Sequence, residues 1–230
     1  MTTRYFRRDH CQLCGSRELT LILSLAPTPP ANAFVPKSAL SEEQERFPLD
    51  VFHCEECHHT QLTDVVDPAI LFENYVYVSG TSPTFVRHFE DYANNAIKRF
   101  APPGDGLVVD IGSNDGTLLR FFQNAGMTVL GIDPAKDIAA TATAEGIETM
   151  PQFFTPALAR EVVDARGKAS MVTANNVFAH ADDLKSIAEG IATMLAPGGV
   201  FVFEVSYLVD VFEDVLFDTI YHEHMAYHAV

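Results

Sequence analysis

Short apolar runs alternate with longer mixed segments through the second half of the chain. The runs at residues 107–111, 128–132, 170–173 and 200–205 have the length and composition of buried parallel strands. The segments between them, residues 117–125, 138–144, 156–164 and 182–195, have helix-compatible composition. This alternation predicts repeated βα units, and therefore an α/β fold with a Rossmann-like parallel sheet.

The first hundred residues follow a different pattern. Residues 1–65 contain all four cysteines and the proline-rich stretch 26–30, in which a regular helix cannot form. Residues 66–100 have near-helical apolar spacing, which is interrupted by a turn-like segment at 79–83. After the breaker at 101–104, three parts are predicted: a small domain at 1–65, a helical bridge at 66–100 and a Rossmann-like domain at 101–230.

The four cysteines form two matched pairs, Cys11-x-x-Cys14 and Cys54-x-x-Cys57. Two such pairs predict a tetrahedral Zn²⁺ site that staples a segment too short to bury a large core. Iron also accepts four thiolates, and four buried free cysteines are the plainer alternative. A nearby histidine could also replace one cysteine as metal ligand. The four candidates are His10, His53, His58 and His59.

Composition narrows the class of partners. Acidic residues outnumber basic ones 31 to 15, and the net charge of −16 argues against nucleic acid as a partner. No apolar stretch approaches the ~18 residues that a membrane span needs, and no apolar region follows the basic start, so a cytoplasmic protein without a membrane partner is expected. In that compartment the cysteines are expected to be reduced.

A glycine-bearing loop follows the first strand of the Rossmann-like part. Asp110 ends the strand, and Gly112 lets a ligand approach the backbone at the carboxyl end of the sheet. The loop is not G-x-G-x-x-G, which disfavours a nicotinamide dinucleotide. Asp133 ends the next strand, where a carboxylate can accept hydrogen bonds from a ribose, although it could instead cap the helix that follows.

These motifs resemble those of the class I S-adenosylmethionine (SAM) dependent methyltransferases. The family's first motif, D-x-G-x-x-x-G, is matched at residues 110–116, its ribose-binding acid at 133, its fourth-strand motif at 175–180 and its turn before the fifth strand at 195–199. The resemblance implies SAM as cofactor. It also implies the residues that contact SAM: Asp110, Gly112, Asn114, Gly116, Asp133 and Asn175. Phe153 and Phe154 either flank the adenine or pack in the core.

The segment Tyr221-His222-Glu223-His224 concentrates groups that move protons near neutral pH. A catalytic zinc site or a surface cluster without a role are the alternatives. Together with the cysteine module, the segment resembles C-methyltransferases that act on nucleotide-linked keto-deoxysugars. That resemblance implies His224 as the base, Glu223 as the residue that orients it and Tyr221 as a donor to an enolate oxygen. It also implies that a second segment, with Tyr75, Tyr77 and Ser79, approaches the active site.

The chain differs from that family in length, since it stops after the run at 200–205, which matches the family's fifth strand. A sheet without its last strands would leave residues 200–205 as an apolar edge that invites pairing, so an oligomer is compatible with the sequence. Two other functions remain open. One is a SAM-dependent O- or N-methyltransferase for another small metabolite, and the other is an inactive zinc-stapled binding protein.

Overall fold

The computed structural model describes residues 4–73 and 75–229; Asn74, in the tyrosine-bearing segment, lies outside them. The strands are β1 (Tyr5–Arg7), β2 (Leu19–Thr28), β3 (Phe47–Cys54), β4 (Thr60–Leu62), β5 (Asp64–Val66), β6 (Leu107–Ile111), β7 (Thr128–Ile132), β8 (Thr149–Met150), β9 (Ala169–Asn175), β10 (Leu195–Glu204) and β11 (Ala226–Tyr227). The helices are α1 (Pro68–Phe72), α2 (Pro83–Phe100), α3 (Thr117–Asn124), α4 (Lys136–Ala144), α5 (Pro156–Arg166), α6 (Leu184–Met194) and α7 (Leu208–Glu213).

The described residues form two compact units. The first, called the cysteine unit, contains residues 4–73, 75, 178–184 and 205–229. The second, called the Rossmann unit, contains residues 76–177 and 185–204. Residues 205–229 join the cysteine unit because β11 pairs with β4, so the structure groups them differently from the predicted domain at 101–230.

The Rossmann unit is built on a five-stranded parallel sheet in the order β10-β9-β6-β7-β8. Adjacent residues of β6 point to opposite faces, as in any strand, so the sheet has an apolar core on each side. Val109 packs with α5 and α6 in one core, and Val108 packs with α2 and α3 in the other. The α/β fold with a Rossmann-like parallel sheet is therefore confirmed.

β10 occupies the end of this sheet. Within residues 4–73 and 75–229 its outer edge has no strand partner, and Phe203 is 44% exposed. An unpaired apolar edge was the expectation for residues 200–205, and the structure confirms it.

The cysteine unit contains a four-stranded antiparallel sheet in the order β11-β4-β3-β2 and a two-stranded pair of β1 with β5. Its cores are small, one around Leu49, Val51 and Leu62 and another around Phe47. Phe47, Leu49 and Val51 alternate with less buried residues along β3, as expected for a strand with one covered face. Among the described helices none has the length and apolar character to cross a membrane.

Candidate active site and metal centre

The four cysteines converge on one point of the cysteine unit. The sulfur atoms of Cys11, Cys14, Cys54 and Cys57 all lie within 4.8 Å of one another. The Cys11–Cys57 and Cys14–Cys54 pairs are each 3.6 Å apart. Tetrahedral Zn²⁺ with Zn–S bonds of about 2.3 Å requires sulfur atoms about 3.8 Å apart, so the cluster fits this ion. No histidine belongs to the cluster among the described residues.

Two matching turns shape the metal centre. In each C-x-x-C pair, the residue after the second cysteine donates its N–H to the carbonyl of the first, at 2.9 Å for both Gly15 and His58. Both residues have positive φ, 78° at Gly15 and 60° at His58, which is routine for glycine but uncommon for histidine. Burial raises the pKa of Cys54, but hydrogen bonds from the N–H groups of Cys57 and Glu56 and from the side chains of Cys14 and Cys57 together lower it to about 7.

Gln61 connects the metal centre to the sheet of the cysteine unit. Its fully buried side chain donates to the carbonyl of His10 at 3.1 Å and accepts from the N–H of Gln12 at 2.8 Å. These two groups flank Cys11 in the chain. The position of the first cysteine pair is therefore fixed by a side chain of β4.

The glycine loop of the Rossmann unit has the left-handed backbone that its sequence predicts. Gly112 and Gly116 have φ of 69° and 76°. A Cβ atom would lie 2.3 Å from a methyl group of Val177 at Gly112 and 2.7 Å from one of Ile147 at Gly116. The glycines are therefore needed for packing as well as backbone freedom, whereas the sequence attributed Gly112 to the approach of SAM alone.

Asp133 hydrogen-bonds two parts of the same site. Its Oδ2 accepts from the N–H of Asn114 and its Oδ1 from the N–H of Ala135, each at 2.8 Å. Asp133 thus holds the glycine loop and the turn that precedes α4, and its binding of a ribose stays a prediction. Each carboxylate oxygen retains a second acceptor position, so both remain able to bind a ribose hydroxyl.

Asp110 and Asn175 end neighbouring strands beside this loop. Asp110 is buried, and burial raises its pKa to about 7 although a hydrogen bond from Thr173 at 2.6 Å lowers it. Burial and then the Asp110 charge raise the pKa of Tyr92, whereas the Asn175 side chain lowers it by a smaller amount. The Oγ of Ser113, inside the loop, is buried without a partner among the described residues. Buried polar atoms at the carboxyl ends of three parallel strands fit a polar ligand such as SAM.

Asn114 binds protein rather than leaving its amide open to a ligand. Its Oδ1 accepts from the N–H of Ser79 and its Nδ2 donates to the carbonyl of Tyr77, each at 2.9 Å. Asp115 accepts from the N–H of Gly80 at 2.8 Å and from that of Thr117 at 3.1 Å. The loop therefore fixes the segment 77–80, and the Asp115 carboxylate partly offsets the positive potential at the start of α3.

The remaining aromatic candidates differ in their burial or in the unit to which they belong. Phe154 is 8% exposed and packs in the core with Leu158 and Ile191, which agrees with its core interpretation. Phe153 is 38% exposed. Tyr77 lies in the Rossmann unit, whereas Tyr75 belongs to the cysteine unit.

His224 has one ring nitrogen engaged. Its Nδ1 lies 2.7 Å from the carbonyl oxygen of Thr219, which can only accept, so Nδ1 carries the proton and Nε2 is left as a base. Burial lowers the pKa of His224, which favours the neutral ring. The ring of Tyr221 lies 4.2 Å away, centroid to centroid, and burial followed by the Glu223 charge raises the pKa of Tyr221 to about 12. Tyr221 therefore remains a hydrogen-bond donor beside a neutral imidazole.

Glu223 has other partners than the sequence implies. Its carboxylate is 1% exposed and accepts from Nδ2 of Asn32 at 2.7 Å, with the Tyr75 hydroxyl at 3.5 Å. The carbonyl of Thr219, and not Glu223, fixes the ring of His224. Asn32 and Thr219 were missed because neither belongs to a motif.

His180 is a further residue that the sequence did not single out. Its ring stacks on His224 with centroids 5.1 Å apart, and on its other side it stacks on Phe72 at 5.5 Å. Burial and the neighbouring His224 lower the pKa of His180 to about 3. The only available signal was its place at the end of the fourth-strand motif, five residues after Asn175.

These buried histidines predict that acid destabilises the cysteine unit. Burial lowers the pKa values of His180, His222, His224 and His228, so from about pH 6.5 downward the unfolded chain binds protons that the folded chain does not. Stability is therefore expected to fall as pH falls, by up to ~1.4 kcal/mol per pH unit for each histidine. Urea unfolding at pH 7.5, 6.5 and 5.5 measures this slope. A slope that is zero, or unchanged by His180→Gln, would contradict the prediction.

Comparison with known proteins identifies the family. Residues 85–229 match a family model described as "Methyltransferase domain", and residues 11–72 match one described as "Putative zinc binding domain". The chain belongs to the class I SAM-dependent methyltransferases. In this family SAM is the cofactor, and the four-cysteine cluster is the metal site of the zinc-binding part.

Individual relatives extend this result. The methyltransferase is 35% identical to the C-methyltransferase NovU of Streptomyces niveus over 95% of this chain and 52% of NovU. It is 32% identical to the ubiquinone biosynthesis O-methyltransferase of Cupriavidus pinatubonensis, over 43% of this chain and 41% of that protein. The structure of DesVI from Streptomyces venezuelae aligns with a TM-score of 0.45 and 20% identity, over 58% of this chain and 56% of DesVI. The chain spans about half the length of these curated relatives.

Proposed function

We propose that this methyltransferase transfers the methyl group of SAM to a carbon beside the keto group of a nucleotide-linked deoxysugar. The observation that supports it most is His224, whose Nδ1 carries the proton, so that Nε2 is left as the base, and whose lowered pKa favours the neutral ring that can accept a proton from carbon. The 35% identity to NovU, which is named a C-methyltransferase, supports transfer to carbon in particular. The substrate class rests on the resemblance carried by Tyr221, Glu223 and His224.

The residues of the cysteine unit would prepare the substrate. Nε2 of His224 takes the proton from the carbon beside the carbonyl, and the bonding electrons move onto the carbonyl oxygen. The Tyr221 hydroxyl, kept protonated by its high pKa, donates a hydrogen bond to that oxygen as it becomes negative. The carbon then forms its bond to the methyl group while the C–S electron pair stays on sulfur, and the proton on His224 is released to solvent.

The Rossmann unit would hold the cofactor. SAM supplies an electrophilic methyl group on a sulfonium. The groups that would bind SAM lie at the carboxyl ends of neighbouring strands. They are the loop from Gly112 to Gly116, the carboxylates of Asp110 and Asp133 and the amide of Asn175.

Replacing Asp133 by alanine is expected to weaken SAM binding roughly 10- to 100-fold, because the ribose hydroxyls lose a charged acceptor. Isothermal titration with SAM measures this change. Asp133→Asn removes the charge but keeps one of the two oxygens that accept from backbone N–H groups, and thermal unfolding of both variants checks that the loss is not caused by unfolding. Asp137→Ala removes an exposed carboxylate four residues away and is the matched control. Unchanged affinity in both Asp133 variants would refute this binding mode.

The proposed reaction is tested by hydrogen exchange in deuterated water. The chain is incubated with a panel of nucleotide-linked keto-deoxysugars, and mass spectrometry follows deuterium at the carbon beside the carbonyl and methylation when SAM is added. Exchange that requires the protein, followed by a methyl group on the same carbon, supports the proposal. Neither exchange nor methylation with any member of the panel, in a chain that binds SAM, would overturn it.

Transfer to oxygen is the second candidate, favoured by the 32% identity to a ubiquinone biosynthesis O-methyltransferase. That similarity covers 43% of the chain, whereas the similarity to NovU covers 95%. His224 would then deprotonate a hydroxyl group. Methyl transfer without exchange at carbon identifies this reaction.

A further inference from the structure

Among the described residues, Asn32 is one of two whose side chains hydrogen-bond the carboxylate of Glu223. It lies in the irregular stretch after β2, 191 positions before Glu223 in the chain, and is half-buried. Its Nδ2 is 2.7 Å from Oε1 of Glu223, a short distance typical of a hydrogen bond to a charged acceptor. The other contact, from the Tyr75 hydroxyl to Oε2, is longer at 3.5 Å.

Glu223 needs such a partner to remain ionised. The residue is 1% exposed, and no lysine, arginine or histidine among the described residues forms an ion pair with it. Burial raises the pKa of Glu223, and the hydrogen bonds from Asn32 and then from Tyr75 lower it. An amide donor stabilises the carboxylate without neutralising it, whereas a cationic partner would cancel its charge.

The other titratable groups around Glu223 do not take this role. The Glu223 charge raises the pKa of Tyr221, so the two groups repel in their ionised forms. The neighbouring His222 and His224 have lowered pKa values and direct a nitrogen at the carbonyls of Phe47 and Thr219.

We propose that Asn32 is a positioning residue that holds Glu223 as an oriented carboxylate, so that Glu223 can accept a hydrogen bond from the substrate. This inference rests on the proposed function, in which Glu223 belongs to the groups that contact the sugar. Oε1 is bound by Asn32, which leaves Oε2, held only by a long contact, as the oxygen that accepts a hydrogen bond from a substrate hydroxyl. Asn32 thus acts through Glu223 and does not itself touch the reacting atoms.

The first test measures Glu223 directly and needs no turnover. Asn32→Leu keeps the size of the side chain and removes the donor. Carbon-13 NMR of the chain labelled at glutamate carboxyl groups, assigned with Glu223→Gln, follows the titration of Glu223 in both backgrounds. We expect the pKa of Glu223 to rise in Asn32→Leu and to return towards its original position in Asn32→Gln, which restores an amide donor. A Glu223 titration that Asn32→Leu leaves unmoved would overturn the proposal.

The second test is a double-mutant cycle on the exchange reaction. Asn32→Leu is expected to lower the exchange rate roughly 10- to 100-fold at neutral pH, with the acidic limb of its pH profile moved to higher pH. In the Glu223→Gln background the same substitution is expected to change the rate less than twofold. An equal loss in both backgrounds would mean that Asn32 acts structurally, which refutes the proposal. If the proposed function fails and no exchange occurs, the NMR titration still decides the role of Asn32.

Discussion

Replacing His224 by alanine is expected to lower the rate of carbon–hydrogen exchange and of methylation by about 10²–10⁴-fold, the usual contribution of a positioned general base. No other described group is placed to replace it in the same way. His180, stacked on His224, has its pKa lowered to about 3, and Tyr221 holds its proton up to a pKa of about 12. SAM affinity should be unchanged, since His224 is not among the residues predicted to contact SAM.

The measurement compares exchange, methylation and SAM binding in the same preparations. His228→Asn is a matched control, because it also replaces a partly buried histidine, four residues after His224, but one without a role in the proposed proton transfer. Exchange retained in His224→Ala would assign the base to another group. Equal losses in both variants would point to damage of the segment and not to chemistry.

The fold of the Rossmann unit was largely predictable because its elements are encoded locally. The predicted strands at residues 107–111 and 128–132 have the observed limits, and the helix predicted at 117–125 is observed as Thr117–Asn124. The two-residue β8 was missed, since two residues show no period. β11 was also missed, because its pairing with β4 joins positions more than 160 residues apart and only the fold brings them together.

The candidate functional residues also divide into those encoded by local sequence and those that only the fold brings together. The four cysteines were predictable because each pair is local and the metal requires both pairs. Asn32, Thr219 and His180 were not, since each acts through a contact with the 221–224 segment that the three-dimensional structure creates. A motif thus predicted the candidate reactive groups, whereas only the structure shows which residues contact them.

Removal of zinc is expected to unfold the cysteine unit. Its sheet has short strands and small cores, whereas zinc binding to cysteine-rich peptides contributes on the order of 10 kcal/mol, as much as the whole stability of many domains. The metal centre also supports the catalytic segment. Gln61 fixes the chain around Cys11, and the next residue, Leu62, donates its N–H to the carbonyl of Met225 at 3.0 Å, directly after His224. Loss of the metal should therefore abolish proton exchange together with the fold of this unit.

Hydrogen exchange of backbone amides, read by mass spectrometry, tests this prediction in both units at once. After chelation, or in Cys54→Ser, peptides from β3 should lose protection while peptides from β6 keep it, because β6 packs in the separate cores of the Rossmann unit. SAM binding serves as the internal control and should survive, whereas proton exchange on the substrate should return only when zinc is added back. Full protection of β3 in a chain shown by elemental analysis to be free of metal would mean that the cysteines are not a structural staple. Loss of protection in β6 as well would show that the metal stabilises the whole chain as one cooperative unit.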